Sequence, residues 1–326
     1  MGGNALTKTY TRRYNKAEYL NLADEMVSEL IWEFGTEHIS AIPAYRDKES
    51  FGDLDILYST NDGNSLTVEQ IKDFFQPNQI VRNSEVISFD FKEFQVDLIH
   101  VDSSHYSYAR DYFSWNDTGN LIGKLAHQLG LKHGHKGLVL PLRDGNNKFA
   151  DVCITLDHRK TLELLGLDVD KFYSGFKNLD EIFKFVSDSK FYSPESYKLE
   201  NLNAIAKMRD KKRDTYNKFL QFGETYTGPV YDRSNDKTKY LEHIFAFFPD
   251  AYQQYIDAIS GLALQQAAKL KFNGEIVLSL TGKKNKELGR FMGVLRNDFY
   301  FRNENLLYLS QAQINAKIIN AHKSNL

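Results

Sequence analysis

The sequence predicts an α+β protein: a mixed sheet flanked by helices, followed by an all-helical C-terminal part. Three observations lead there. An amphipathic helix stands near the start, short segments rich in β-branched and aromatic residues follow with helical stretches between them, and from about Thr161 onward nearly everything has helical spacing. They divide the chain into residues 1–35, 36–165 and 166–326.

The elements follow in order. From Lys16 to Phe34, Tyr19, Leu22, Met26, Leu30 and Phe34 share one face at helical spacing, and Gly35 closes the helix. The runs "HISAIPAY", "FGDLDILYS", "QIVRNSEVISFDF" and "FQVDLIHVD" read as strands, with a helix over "TVEQIKDFFQ". After Asp117, "TGNLIGKLAHQLGLKHG" is a glycine-ended helix, and "KGLVLPLRDGNNKFADVCITL" pairs two strands around an Asp-Gly turn. The helical remainder is broken at "FYSPES" and at "GETYTGPVYDRSNDKT", the latter through Gly228-Pro229. No internal repeat or low-complexity tract interrupts it.

At 326 residues and 42% apolar content the chain has material for two cores. A formal charge of −2 offers no global attraction to nucleic acid, so any such binding falls to local patches of Lys and Arg. One cysteine, Cys153, excludes an internal disulfide and a thiolate-rich zinc site; together with an N-terminus lacking an apolar export core, it reads as cytoplasmic. No apolar run approaches membrane-spanning length, so no membrane partner is expected. His127, His133 and His135 lack a carboxylate or cysteine at zinc-like spacing. Walker loop, dinucleotide fingerprint and Gly-x-Ser-x-Gly elbow are all missing.

The chemistry concentrates in "YRDKESFGDLDILYS". On a strand, Asp53 and Asp55 project to one side while Leu54 and Ile56 pack the other. Two like charges held together are unfavourable unless a cation neutralises them, and hard divalent ions prefer oxygen ligands. Asp97 interrupts another apolar strand and would join the pair if the strands are neighbours. Three such carboxylates can hold two metal ions for an in-line phosphoryl displacement. Taken alone, an Asp-x-Asp also marks a turn or an exposed strand end.

"YRDKESFGDLDIL" resembles the active-site strand of the nucleotidyltransferase superfamily, most closely the family X DNA polymerases of the DNA polymerase beta type, which carry Gly-Ser, an arginine and Gly-Asp-x-Asp in this order. The likeness continues through "VDLIHVDSSHYSYARDYFSWNDTGNLIGKLAHQLGLKHGHKGLVL", which looks like that family's third-aspartate strand, Tyr-Phe motif and following helix. Asp97 and Tyr112 stand fifteen positions apart, as in the family. The match covers roughly residues 30–165. It implies a nucleotidyltransferase-type sheet in 36–165, with 1–35 packed on it, and two Mg²⁺ or Mn²⁺ ions held by Asp53, Asp55 and Asp97. It further implies triphosphate contacts from Arg46 and Gly52, a sugar pocket lined by Tyr112 and Phe113, a base contact from Asn120, and a cation facing a template strand in Lys124. Tyr112 and Phe113 read equally as core aromatics, and Asn120 as a solvated helix residue.

The sequence also departs from the family. Ile42 and Pro43 stand where it has Gly-Ser, with Ser40, Lys48 or the basic "TKTYTRR" as substitutes, and Trp115 replaces a glycine after the aromatic pair. Residues 1–35 do not match its DNA-gripping domain, so gap filling on DNA is not implied. In the C-terminal part, "LSLTGKKNKELGRFMGVLRN" is weakly similar to a segment of the CCA-adding tRNA nucleotidyltransferases, and "ARDYFSWN" is loosely similar to their Arg-Asp-Phe-Thr-x-Asn motif. Lys283, Lys284, Lys286 and Arg290, with "KMRDKKR", read either as a groove for a phosphate backbone or as solvated helix faces. The expectation is a metal-dependent transferase of nucleoside monophosphate from a nucleoside triphosphate to a hydroxyl, foremost an RNA or DNA 3′ end. A protein or small-molecule hydroxyl, and a catalytically silent nucleic-acid-binding module, are the alternatives.

Overall fold

The structure is a computed structural model describing residues 5–36, 38–60 and 62–324. It comprises two compact units, Met1–Pro141 with Cys153–Pro249 and Leu142–Val152 with Asp250–Leu326.

In the first unit, β1 (Tyr14–Asn15) leads into α1 (Lys16–Phe34). Asn15 and Glu18 form a reciprocal capping box at its start, and Gly35, at φ 61°, stops it. The strands are β2 (Ile39–Ala41), β3 (Ser50–Phe51), β4 (Asp53–Tyr58), β5 (Ile80–Asn83), β6 (Val86–Phe91) and β7 (Phe94–His100), with α2 (Val68–Phe75) between β4 and β5. β1 pairs with β3; the main sheet has the order β2-β4-β7-β6-β5. Only β4 and β7 run parallel in it, so the sheet is mixed, as the sequence predicts.

Period-two alternation decides what each sheet face holds. Leu54, Ile56 and Tyr58 of β4, with Val96 and Leu98 of β7, share a core with Tyr19, Leu22, Met26 and Leu30 of α1 and Ile71 and Phe75 of α2. On the opposite face, Leu57 packs with Ile99 and with Ala109 and Phe113 of α3 (Tyr106–Phe113). Asp53, Asp55 and Asp97 belong to that second face by parity.

A short loop joins α3 to α4 (Thr118–Gln128). Gly119 lets the two helices meet: a Cβ there would stand 2.1 Å from the Tyr112 carbonyl oxygen. β8 (Lys132–Gly134), β9 (Gly137–Asp144) and β10 (Asn147–Thr155) form a three-stranded sheet. The expected Asp-Gly turn is there, with Gly145 at φ 57°. All later elements are helical, in agreement with the sequence.

Residues 166–249, grouped by sequence with the C-terminal helices, lie in the first unit. They contain α6 (Val169–Ser174), α7 (Leu179–Ser187), α8 (Ala204–Asp210), α9 (Asp214–Glu224) and α10 (Leu241–Phe247), after α5 (His158–Leu164). Buried bonds attach them: the Tyr197 hydroxyl donates to the Leu121 carbonyl at 3.0 Å and the Gln128 amide to the Phe191 carbonyl at 2.7 Å. The second unit holds α11 (Pro249–Lys271, less its first residue), α12 (Gly274–Thr281), α13 (Asn285–Asn297), α14 (Asn303–Tyr308) and α15 (Gln311–Ser324). Phe272, Val277, Phe291, Leu295, Ile314 and Ile318 form its own core. Among the described residues, no helix is long and apolar enough to cross a membrane.

Candidate metal centre and cleft

β4 and β7 place the acids by register. Asp55 stands directly opposite Asp97, and Asp53 lies two residues along on the same face. One carboxylate oxygen from each can be chosen so that all three lie within 4.8 Å, and among the described residues no other such group of three His, Cys, Asp or Glu side chains occurs. Gln95, nearly fully buried, donates its amide to both Asp97 oxygens at 3.0 Å and so fixes that carboxylate. Burial first, then repulsion from Asp53 and Asp97, pushes the Asp55 carboxyl up to about 8; burial raises Asp97 to about 6. Lys48 is the cation that opposes the shift of Asp55. A set of hard oxygen donors so close that they resist ionising together fits a divalent cation, which would remove both penalties.

Asp53 and Asp55 open onto a cleft of about 750 Å³. Gly52, Tyr112, Phe113 and Asn120 line it, together with Lys48, Arg13, Asp117, Arg213 and Lys218. The Tyr112 and Phe113 rings meet edge to face at 5.1 Å; His133 backs the first at 5.0 Å and His135 stacks on the second at 5.8 Å. Ile42 and Pro43 line the wall as apolar surface, so no hydroxyl stands at the Gly-Ser position. Of the substitutes considered, Lys48 and Arg13 face the cleft, whereas Ser40 accepts a hydrogen bond from the Tyr106 hydroxyl and Arg12 pairs with Glu18.

Other expected residues are occupied elsewhere. Arg46 does not line the cleft: its guanidinium donates to the Ser174 carbonyl at 3.0 Å and its backbone N–H to that of Phe176 at 2.9 Å. Trp115, at φ 62°, turns its ring edge-on to Phe176 and closes over Gly175, where a Cβ would meet it at 2.7 Å. Lys124 donates to Asp210 at 2.8 Å; Asn120 donates to Asp210 at 3.3 Å and accepts from Arg209 at 2.8 Å. Asp210 is fully buried, and Arg209 also reaches it at 2.7 Å. Arg213 pairs with Asp117. Two cations of "KMRDKKR" are thus spent on acids at the cleft's edge rather than left for a phosphate backbone. Asp210 escapes sequence reading because two of its three partners lie 86 and 90 residues upstream; its sole signal is an acid inside a basic run.

No protein-family model matches the chain, and no curated protein matches its sequence. Among the solved structures similar in part are two of Leishmania infantum polymerase beta. The ternary gap complex has 12% identity and a TM-score of 0.34 over 41% of this chain and 53% of that one. The ternary P/T complex has 13% identity and a TM-score of 0.33 over 42% and 62%. The chain therefore spans less than two thirds of either.

Proposed function

We propose that the chain is a metal-dependent nucleotidyltransferase: it moves a nucleoside monophosphate from an NTP or dNTP to a hydroxyl, foremost a nucleic-acid 3′ end, and releases pyrophosphate. The observation that carries this reading is the convergence of Asp53, Asp55 and Asp97 beside a cleft that Asp53 and Asp55 line and whose volume suits a nucleotide, within the roughly 300–1,000 Å³ of small-ligand sites. Held by those carboxylates, two Mg²⁺ or Mn²⁺ ions would supply Lewis acidity toward the phosphate oxygens and the attacking hydroxyl.

The chain's own groups do the positioning. Asp53 and Asp55 present oxygens from one strand, and Asp97 presents its own from the neighbour, oriented by Gln95. Lys48 adds a cation beside the acids, and Gly52 lets the backbone approach the phosphates. Tyr112 and Phe113 supply an aromatic wall for sugar and base. Transfer without a template is favoured over templated synthesis, because Lys124, the cation expected to face a template strand, is engaged by Asp210. The CCA-adding likeness of residues 278–297 agrees with a tRNA-end or terminal transferase. The single Cys153 supports a reducing, cytoplasmic setting.

The test is incorporation of each labelled ribo- and deoxyribonucleoside triphosphate, with Mg²⁺ or Mn²⁺, into tRNA, single-stranded RNA, single-stranded DNA and primed DNA. A protein with both Asp53→Asn and Asp55→Asn is the control. Template-free, metal-dependent extension lost in the control is the expected result. Extension only on primed DNA moves the assignment to a polymerase, and no incorporation on any nucleic acid moves it to another hydroxyl or to a silent module.

A further inference from the structure

The second unit differs in charge from the first. Residues 250–326 hold ten Lys or Arg against six Asp or Glu, and residues 142–152 hold two of each, so this unit is formally +4 while the whole chain is −2. The first unit is accordingly −6. A net positive unit attached to an acidic one raises the question of where the excess cations sit.

Three of them meet at one place. Lys269 near the end of α11, Arg296 at the end of α13 and Arg302 just before α14 line a groove of about 630 Å³ with Gln265, Asn303 and a single acid, Glu304. Among the described residues none of the three cations forms an ion pair, whereas Lys283 of the same unit pairs with Glu287. Convergence of unpaired cations is electrostatically uphill unless an anion is drawn in. Beside the groove, Phe299 leaves 60% of its surface exposed, and the Arg302 guanidinium lies 5.7 Å from its ring centre. Tyr300 follows, 46% exposed, with Lys317 above its ring at 3.2 Å.

We infer that this groove is a binding site for single-stranded nucleic acid, with Lys269, Arg296 and Arg302 contacting the phosphates and Phe299 stacking on an unpaired base. Cations in a row hold a backbone of phosphates, and exposed rings next to them accept bases that a duplex keeps stacked inside. The inference stands apart from the catalytic reading: it rests on residues of the second unit alone, and its test measures binding rather than turnover.

That test is fluorescence anisotropy of the full chain with a labelled 20-nucleotide single strand, RNA or DNA, in metal-free buffer over a salt series. Replacing Arg296 and Arg302 together with Gln should weaken binding and reduce the slope of log affinity against log salt by about 1.4, at about 0.7 per phosphate contact on a single strand. Phe299→Ala should weaken binding about tenfold with the slope unchanged, since stacking releases no counterions. An unchanged slope in the double variant overturns the phosphate assignment, and a duplex of the same length bound as tightly as the single strand overturns the strand preference. The replaced side chains are exposed, so far-ultraviolet circular dichroism and the melting temperature of each variant should match the parent chain.

Discussion

Asp55 is buried between two acids, with Lys48 the cation that opposes their repulsion. An aspartate ionises near 3.8, and here burial and its two acidic neighbours hold the carboxyl up to about 8. The sign follows: the folded state keeps a proton that the unfolded chain gives up. The contribution to stability is complete below about 4 and is lost as pH rises through 8, at no more than about 1.4 kcal/mol per pH unit for one proton. Metal-free protein should therefore lose stability between pH 4 and 8 in urea titrations, Asp55→Asn should lose less, and Mg²⁺ should restore the parent chain alone at pH 8. The same substitution should lower turnover by at least about a thousandfold; undiminished activity would remove Asp55 from the centre. The histidines have the opposite sign. Burial lowers His133 to about 4 and His158, with His133 adding repulsion, to about 2. What they contribute is intact above about 6.5 and is lost as pH falls through 4. His158→Phe should flatten the acid limb of urea stability by about one proton, and parallel curves for the two proteins would assign that limb to other groups. The acids were legible in the sequence because they interrupt apolar strands; the histidines were not, because nothing local shows that two residues 25 apart share one buried cluster.

At the scale of elements, α8 is fastened to α4 through Asp210, a fully buried acid bonded to Lys124, Asn120 and Arg209. Removing one partner of a buried pair leaves the other charge stranded, so Asp210→Asn should cost about 3–5 kcal/mol. Lys124→Met should cost much less in that background than in the parent chain; additive costs in a double-mutant cycle would show that the two do not act as a pair. Gly119 governs the meeting of α3 and α4 differently. A methyl group there collides with the backbone oxygen of Tyr112, which cannot rotate away, so Gly119→Ala must shift one helix. A loss of about 1–3 kcal/mol is expected, with a raised KM for the nucleotide because Tyr112 moves with the backbone. Sequence reading found α4 by its helical spacing, did not find α3, and could not find these contacts. Helical spacing reports which face is apolar, whereas Asp210 and Gly119 act on partners that only the three-dimensional path brings near. Arg46 shows the same limit: its position in the motif agrees with a phosphate contact, but the carbonyl of Ser174 at the end of α6 takes its guanidinium and that of Phe176 its backbone N–H.

For the whole molecule, composition foretold enough apolar material for more than one core, and among the described residues each unit has its own: one lies between the main sheet, α1 and α2, another among the helices of the second unit. Where the chain passes from one unit to the other was hidden, because residues 166–249 have the same helical periodicity as those after them and differ only in what they pack upon. Separate cores make separate melting behaviour testable. A ligand stabilises the unit that binds it, so Mg²⁺ at about 100 times its dissociation constant should add about 2.7 kcal/mol to the unit carrying Asp53, Asp55 and Asp97. Ile314→Ala, which empties a fully buried position in the other core, should remove about 2–5 kcal/mol from that one. Differential scanning calorimetry should resolve two transitions, the first responding to Mg²⁺ and the second to Ile314→Ala. One transition moved by both treatments would mean that the two cores melt as a single cooperative structure, and the metal would then stabilise the residues of the other unit as much as those of its own.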